Sequence, residues 1–122
     1  MNYVKNLDIG ESLTSLNAQK DMLKIPRGYL LHYEIRLYSG TDAASTLKIQ
    51  YHGTQIMPTN REEALTVMNI FHRMPAITPL LDPPFELEFI STNSALSHNY
   101  VSVALFIVDP KMLAIMTGLV QG

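Results

Sequence analysis

The feature that most constrains the fold is the strict alternation in residues 28–40, GYLLHYEIRLYSG. Apolar side chains at every second position alternate with a second set that is charged at its centre, and a glycine bounds the run at each end. The second set is Leu30, His32, Glu34, Arg36 and Tyr38. A period of two places successive side chains on opposite faces of an extended chain, so this run predicts a half-buried antiparallel strand. Its predicted apolar face consists of Tyr29, Leu31, Tyr33, Ile35 and Leu37.

Besides short strand candidates at residues 20–25 and 55–57, three further segments carry strand patterns. Residues 46–52 and 85–91 alternate, and their predicted inward side chains are Leu47, Ile49, Tyr51, Phe85, Leu87 and Phe89. Residues 100–108, YVSVALFIV, are apolar on both faces, which predicts a central strand that is covered on both sides.

The chain shows no alternation of strands with helices and no internal repeat, and its connections are rich in Pro, Gly, Ser and Asn. About six to eight short strands of this kind predict an all-β antiparallel sandwich with a jelly-roll-like closure. A length of 122 residues suits one such domain. We divide it into an N-terminal arm or first strand (1–19), the β-sandwich (20–109) and an apolar C-terminal tail (110–122).

One internal helix is predicted at about residues 60–73. Thr59 and Glu62 have the spacing of a capping box, in which each side chain satisfies the other residue's free backbone N–H. Apolar side chains then recur at helical spacing, namely Ala64, Val67, Met68 and Phe71. The competing interpretation is a strand through residues 65–71, because this segment is rich in β-branched side chains.

Composition excludes several classes of function. The absence of cysteine excludes a disulfide framework, a thiolate zinc site and a cysteine nucleophile. A net charge of −2, from 9 basic and 11 acidic residues, argues against nucleic acid as a partner. We expect no membrane span, because residues 109–111 (DPK) divide the apolar ending. We expect no signal peptide and synthesis in the cytoplasm, because residues 1–25 contain charges but no continuous apolar run.

The candidates for chemistry are few. His32 and Glu34 share one face of a strand, as metal ligands do in cupin-like barrels, but the second histidine of that motif is replaced by Glu34. The alternative is that both residues, with Arg36, form a solvated outer face. Glu86 and Glu88 likewise suit a solvated face as well as a glycosidic or calcium site. We therefore predict no catalytic, metal-binding or cofactor-binding residue, and no cofactor.

The C-terminal segment is the strongest candidate for contact with a partner. Asp109 as N-cap and Pro110 at the first helical position predict a short C-terminal helical turn. Its predicted interface residues are Met112, Leu113, Ile115, Met116, Leu119 and Val120. The segment either folds back over its own core or docks against another chain. Burying about six such side chains is worth on the order of 10 kcal/mol before entropy costs.

A cysteine-free, almost all-β chain with few charges, a weakly patterned start and the apolar ending MLAIMTGLV resembles the small single-jelly-roll structural proteins of bacteriophage virions. Vertex (penton) and capsid decoration proteins belong to this group. The resemblance covers the layout of the whole chain and rests on no diagnostic motif. It implies a non-enzymatic homo-oligomer in the virion, whose terminal arms insert into neighbouring capsid-type subunits.

Two alternative functions remain open. The first is a carbohydrate- or receptor-binding β-sandwich that uses the loops at residues 39–45 and 91–99. The second is a cupin-like metal enzyme that uses His32 and Glu34. The helix at about residues 60–73 departs from a minimal jelly roll and leaves the strand order undecided.

Overall fold

The computed structural model describes residues 2–58, 64–68 and 72–116, and strands make up most of these ranges. In chain order the described elements are β1 (Asn2–Ile9), β2 (Gln19–Lys24), β3 (Gly28–Ser39), β4 (Ser45–Tyr51), β5 (Thr54–Met57), β6 (Leu65–Thr66), β7 (His72–Leu80), β8 (Glu86–Asn93), β9 (Asn99–Val108) and the helix α1 (Pro110–Met116). The predicted all-β class is confirmed, and so is the short C-terminal helix.

The strands form two antiparallel sheets. The front sheet has the order β1-β9-β3-β7, and the back sheet has the order β2-β8-β4-β5, with β6 also paired to β4. The pairs are nested along the chain: β1 with β9, β2 with β8, β3 with β7, and β4 with β5. This nesting is what one long hairpin produces when it is rolled into two layers, and rolling adds the β3–β9 and β4–β8 pairs. The predicted jelly-roll-like sandwich is therefore confirmed.

The core lies between the two sheets, where one face of each strand is buried. Leu47, Ile49, Leu87 and Phe89 are fully buried, as their alternation predicted, while Tyr51 and Phe85 pack at the margin of the core. From the front sheet the core receives Leu7, Ile9, Leu30, Tyr33, Ile35, Leu37, Val101, Val103, Leu105 and Ile107. Burial of these apolar surfaces is the main force that holds the sheets together.

A β-bulge in β3 changes the predicted inward face of that strand. The register of β3 shifts between Leu30 and His32 in its pairing with both neighbours, β7 and β9. One extra residue reverses the alternation before the bulge, so Leu30 is buried while Tyr29 and Leu31 are only half-buried. The prediction is wrong for Tyr29 and Leu31. It is confirmed after the bulge, for Tyr33, Ile35 and Leu37.

The helix predicted at about residues 60–73 is wrong wherever the structure describes that range. Leu65–Thr66 is a strand paired with β4, and β7 begins at His72. The Val67 N–H donates to the Ser45 carbonyl at 2.9 Å, and the Val67 side chain is fully buried. Pairing with Thr46 and Leu47 of β4, which β5 leaves unpaired, outweighs the helical spacing, because β-branched side chains suit extended backbone. The rest of this prediction (60–63 and 69–71) lies outside the described residues.

The N-terminal residues belong to the sandwich. Of the two alternatives for residues 1–19, the structure has a strand at Asn2–Ile9, which pairs with β9 along its whole length. Leu7 and Ile9 of this edge strand are buried in the core. Among the described residues, no helix is long and apolar enough to cross a membrane.

Candidate functional site

The helix α1 begins as its sequence predicts. The Asp109 side chain accepts a hydrogen bond from the Met112 N–H at 2.6 Å, and the Asp109 carbonyl accepts one from the Leu113 N–H at 3.0 Å. Asp109 is thus the N-cap, and Pro110 takes the first helical position, where its missing N–H costs nothing. The helix follows the last strand directly and contacts β3.

Two of the predicted interface residues are exposed on α1. The exposed fractions of Met112 and Ile115 are 47% and 52%, whereas Leu113 is half-buried. The Met116 side chain, Leu119 and Val120 lie outside what the structure describes. The helix therefore presents apolar side chains that the sandwich does not cover.

The outer surface of the front sheet, called the front face below, is the second exposed region with apolar content. Outward-facing side chains of β1, β9 and β3 form it: Val4, Asn6, Asp8, Tyr100, Ser102, Ala104, Phe106, His32, Glu34, Arg36 and Tyr38. β9 is central, as predicted. Its outer side carries an open depression instead of the predicted second layer, so that part of the prediction is wrong for the described residues.

The depression has a volume of about 400 Å³ and lies between two aromatic ridges. Its floor is low because Ser102 and Ala104 have small side chains. The ridge at one end is formed by His32 and Phe106, whose rings stack with centroids 4.9 Å apart and an interplanar angle of 4°. The other ridge contains Tyr38 and Tyr100, with centroids 6.2 Å apart. The alternation of residues 28–40 predicted a polar outer face, but not this relief.

Charged groups of both signs lie on and beside the front face. The Arg73 Nε is 3.2 Å from a Glu34 carboxylate oxygen. The His98 Nδ1 is 2.6 Å from Asp8 Oδ1. The hydrogen bond and the negative charge of Asp8 raise the pKa of His98 above 6.5, and Glu11 adds to this. Among the described residues, Arg36 forms no ion pair.

Both residues of the cupin-like alternative have side-chain partners from the protein itself. His32 stacks on Phe106, and Glu34 is paired with Arg73; both lie on the outer side of the front sheet rather than inside a barrel. Within the described ranges, no three His, Asp or Glu side chains are grouped closely enough to hold a metal ion.

The paired acids of β8 lie on the outer side of the back sheet. Glu86 and Glu88 stand opposite Lys24 and Met22 of β2, and both are half-buried. The neighbouring lysine partly balances their charge. This arrangement is typical of the outer surface of a sheet.

The two loops of the carbohydrate-binding alternative, residues 39–45 and 91–99, are joined by hydrogen bonds. The Asn99 Oδ1 accepts a hydrogen bond from the Thr41 N–H at 2.8 Å, and its Nδ2 donates to the Thr41 carbonyl at 3.1 Å and to Ser45 Oγ at 2.7 Å. A Cβ on Gly40, whose φ is 130°, would lie 2.1 Å from Asn99 Oδ1, so only glycine fits there. The buried amide of Asn93 similarly binds the Gly10 and Ser97 carbonyls.

A groove of about 830 Å³ opens beside these loops, on the outer side of the back sheet. Hydroxyl groups line much of it, from Ser12, Thr14, Ser15, Thr46, Thr92 and Ser94. Lys48 is its one basic lining residue, and its described lining contains no acidic side chain. Four separate loops and two strands contribute, so local sequence patterns carried no signal for it.

No protein-family model matches the chain, and no curated protein matches it.

Proposed function

We propose that this protein is a non-enzymatic structural subunit that assembles with copies of itself and with neighbouring capsid-type subunits. We further propose that it is a vertex, decoration or other minor protein of a bacteriophage particle. The observation that carries the proposal is the exposure of Met112 and Ile115 on a helix that follows the last strand of a jelly-roll-like sandwich. Large apolar side chains grouped at an exposed terminal element are typical of contact sites.

The energetics of α1 support docking. A helix of seven residues is marginal in water, so it needs packing to stay formed. Its contacts with β3 provide part of that packing, while the exposed halves of Met112 and Ile115 remain available to another chain. Covering them contributes about 1 kcal/mol each before entropy costs. Methionine suits such a contact because its flexible side chain adapts to a partner.

The first experiment compares the light-scattering mass of the full chain with that of a Met112→Glu/Ile115→Glu double variant. We expect a defined oligomer for the full chain and a smaller species for the variant, because a buried glutamate is costly to desolvate. The matched control is Leu16→Glu/Met22→Glu, at positions that are 98% and 48% exposed on other parts of the sandwich. The control should keep the parent mass. A monomeric full chain, or a double variant with unchanged mass, contradicts the proposal.

Electron microscopy of the same sample tests the capsid-type role. Subunits of a closed shell meet through repeated rotational symmetry, so we expect rings or discs of uniform size. Open-ended filaments or amorphous aggregates contradict this role.

A carbohydrate-binding module is the second candidate, and the hydroxyl-lined groove beside the converging loops supports it. Hydroxyl groups and one cation suit a polyhydroxylated ligand, especially an acidic saccharide. Glycan-array binding by the full chain, weakened by Lys48→Ala, is the expected result. An array without signal contradicts this candidate.

A further inference from the structure

We propose that the front face is an interface between two copies of this chain. The inference rests on the proposed self-assembly, and it names a surface through which copies meet. Residues 100–108 are apolar on both faces, but within the described part of the chain only the core side of residues 100–107 is fully buried. On the other, Tyr100 is exposed and Ala104 and Phe106 are half-buried.

The composition of the front face is that of an interface. Its outward-facing side chains on β1, β3 and β9 include two tyrosines, a phenylalanine and an arginine, but no lysine among the described positions. Interfaces are enriched in aromatic residues and arginine and depleted in lysine, because the former bury large areas at low entropy cost. The 56% exposure of Val4 beside them adds apolar area.

The front face has both a depression and a ridge, so two copies can fit each other in a two-fold pair. Ser102 and Ala104 form the low floor of the depression, and Tyr38 and Tyr100 form a raised ridge next to it. In a two-fold pair each copy uses the same patch, so the tyrosine ridge of one copy can fill the depression of the other. Each copy then supplies both the protruding element and the recess.

The charges favour a second copy of this chain over a polyanionic partner. The face and its β7 margin carry two acids and two arginines: Asp8, Glu34, Arg36 and Arg73. Opposite signs in equal number allow the surface to meet itself without net repulsion. Arg36, which forms no ion pair among the described residues, gains a carboxylate partner in such a pair.

The area of the face is sufficient for association. With its β7 margin, the face spans four strands about 4.8 Å apart and about eight residues at 3.3 Å each, which gives roughly 500 Å² per copy, or roughly 1,000 Å² in total. This value lies near the lower limit for a specific interface. We therefore expect an association that depends on protein concentration.

Sedimentation velocity of the full chain over a wide concentration range tests the inference, with Tyr38→Glu and Ser102→Arg as variants. Tyr38→Glu removes part of the ridge, and Ser102→Arg fills the depression. Each should weaken association at least tenfold with an unchanged melting temperature of the dissociated chain. Met22→Glu, on the back sheet, is the matched control, because Met22 and Tyr38 are 48% and 51% exposed.

The outcomes separate this inference from the proposed function. If both front-face variants keep the parent mass while Met112→Glu/Ile115→Glu loses it, the inference is wrong and the assembly proposal stands. If the front-face variants keep the parent mass but have a lower melting temperature, the face is packed within a single chain. That result also overturns the inference. A full chain that is monomeric at every concentration overturns both.

Discussion

Two buried serines differ in their hydrogen bonding. Ser45 and Ser91 are both fully buried, but Ser45 Oγ accepts a hydrogen bond from Asn99 Nδ2, whereas Ser91 Oγ has no partner within the described part of the chain. A buried hydroxyl without a partner loses its hydration and gains nothing in return. Ser91→Ala should therefore stabilise the fold by about 1 kcal/mol, and Ser45→Ala should destabilise it by about 1–2 kcal/mol.

Urea denaturation of both variants measures the two effects. Because the substitutions are identical and equally buried, the difference between them isolates the hydrogen bond. A loss of stability in Ser91→Ala would show that its hydroxyl is satisfied in solution.

The exposed ion pair between His98 and Asp8 makes the free energy of unfolding depend on pH. Asp8 raises the pKa of His98 above 6.5, so protonation of the imidazole favours the folded state. This stabilisation is complete below the unfolded pKa and is lost as the pH rises through the folded pKa. Its size is small, because both side chains are exposed and solvent screens the pair.

An NMR titration of the His98 ring measures this effect in the parent chain and in Asp8→Asn. We expect a pKa above 6.5 in the parent and a value closer to 6.5 in the variant, since the carboxylate charge is removed. Equal His98 values in both proteins would show that the pair does not form.

Substitution of the N-cap residue Asp109 tests what stabilises the helix α1. Asp109→Ala removes the acceptor of the Met112 N–H and should destabilise the helix by about 1 kcal/mol, whereas Asp109→Asn should keep most of the cap. Hydrogen exchange at the Met112 and Leu113 amides is the measurement, because the effect is confined to α1. Equal exchange in Asp109→Ala and Asp109→Asn would mean that packing against the sandwich, rather than the cap, holds the helix.

Single elements also show where local patterns fail. Alternation places Leu47 and Ile49 correctly, because an uninterrupted strand has a period of two. The bulge after Leu30 adds one residue, and only the pairing of β3 with both neighbours reveals it. In residues 64–68 the spacing of the apolar side chains suits a helix. Hydrogen bonds to the back sheet instead hold Leu65–Thr66 in an extended conformation.

At the scale of the whole molecule, side chains between the two sheets should contribute more to the free energy of unfolding than side chains on the outer surface of a sheet. Phe89 of β8 is fully buried between the sheets, while Phe106 of β9 lies on the front face. Phe89→Ala should cost about 3–5 kcal/mol, because a core cavity is left behind. Phe106→Ala should cost less than half as much in the dissociated chain, since its ring is only partly buried.

Denaturant unfolding at low protein concentration compares the two phenylalanine variants without a contribution from association. One cooperative transition is expected for each, because a single core joins the sheets. Equal losses in the two variants would mean that the front face is as well packed as the core within one chain.

The sequence by itself determined the all-β class, the inward side of the regular strands, the cap at Asp109 and the apolar character of the final segment. These properties depend on neighbours along the chain, through the period of two and the backbone N–H groups that a cap satisfies. Only the tertiary structure decided that Asn2–Ile9 pairs with the last strand, that Asn99 joins two loops, and that Ser102 and Ala104 form an open depression. Such contacts join residues far apart in the chain, so packing of the whole core selects them and no local pattern records them.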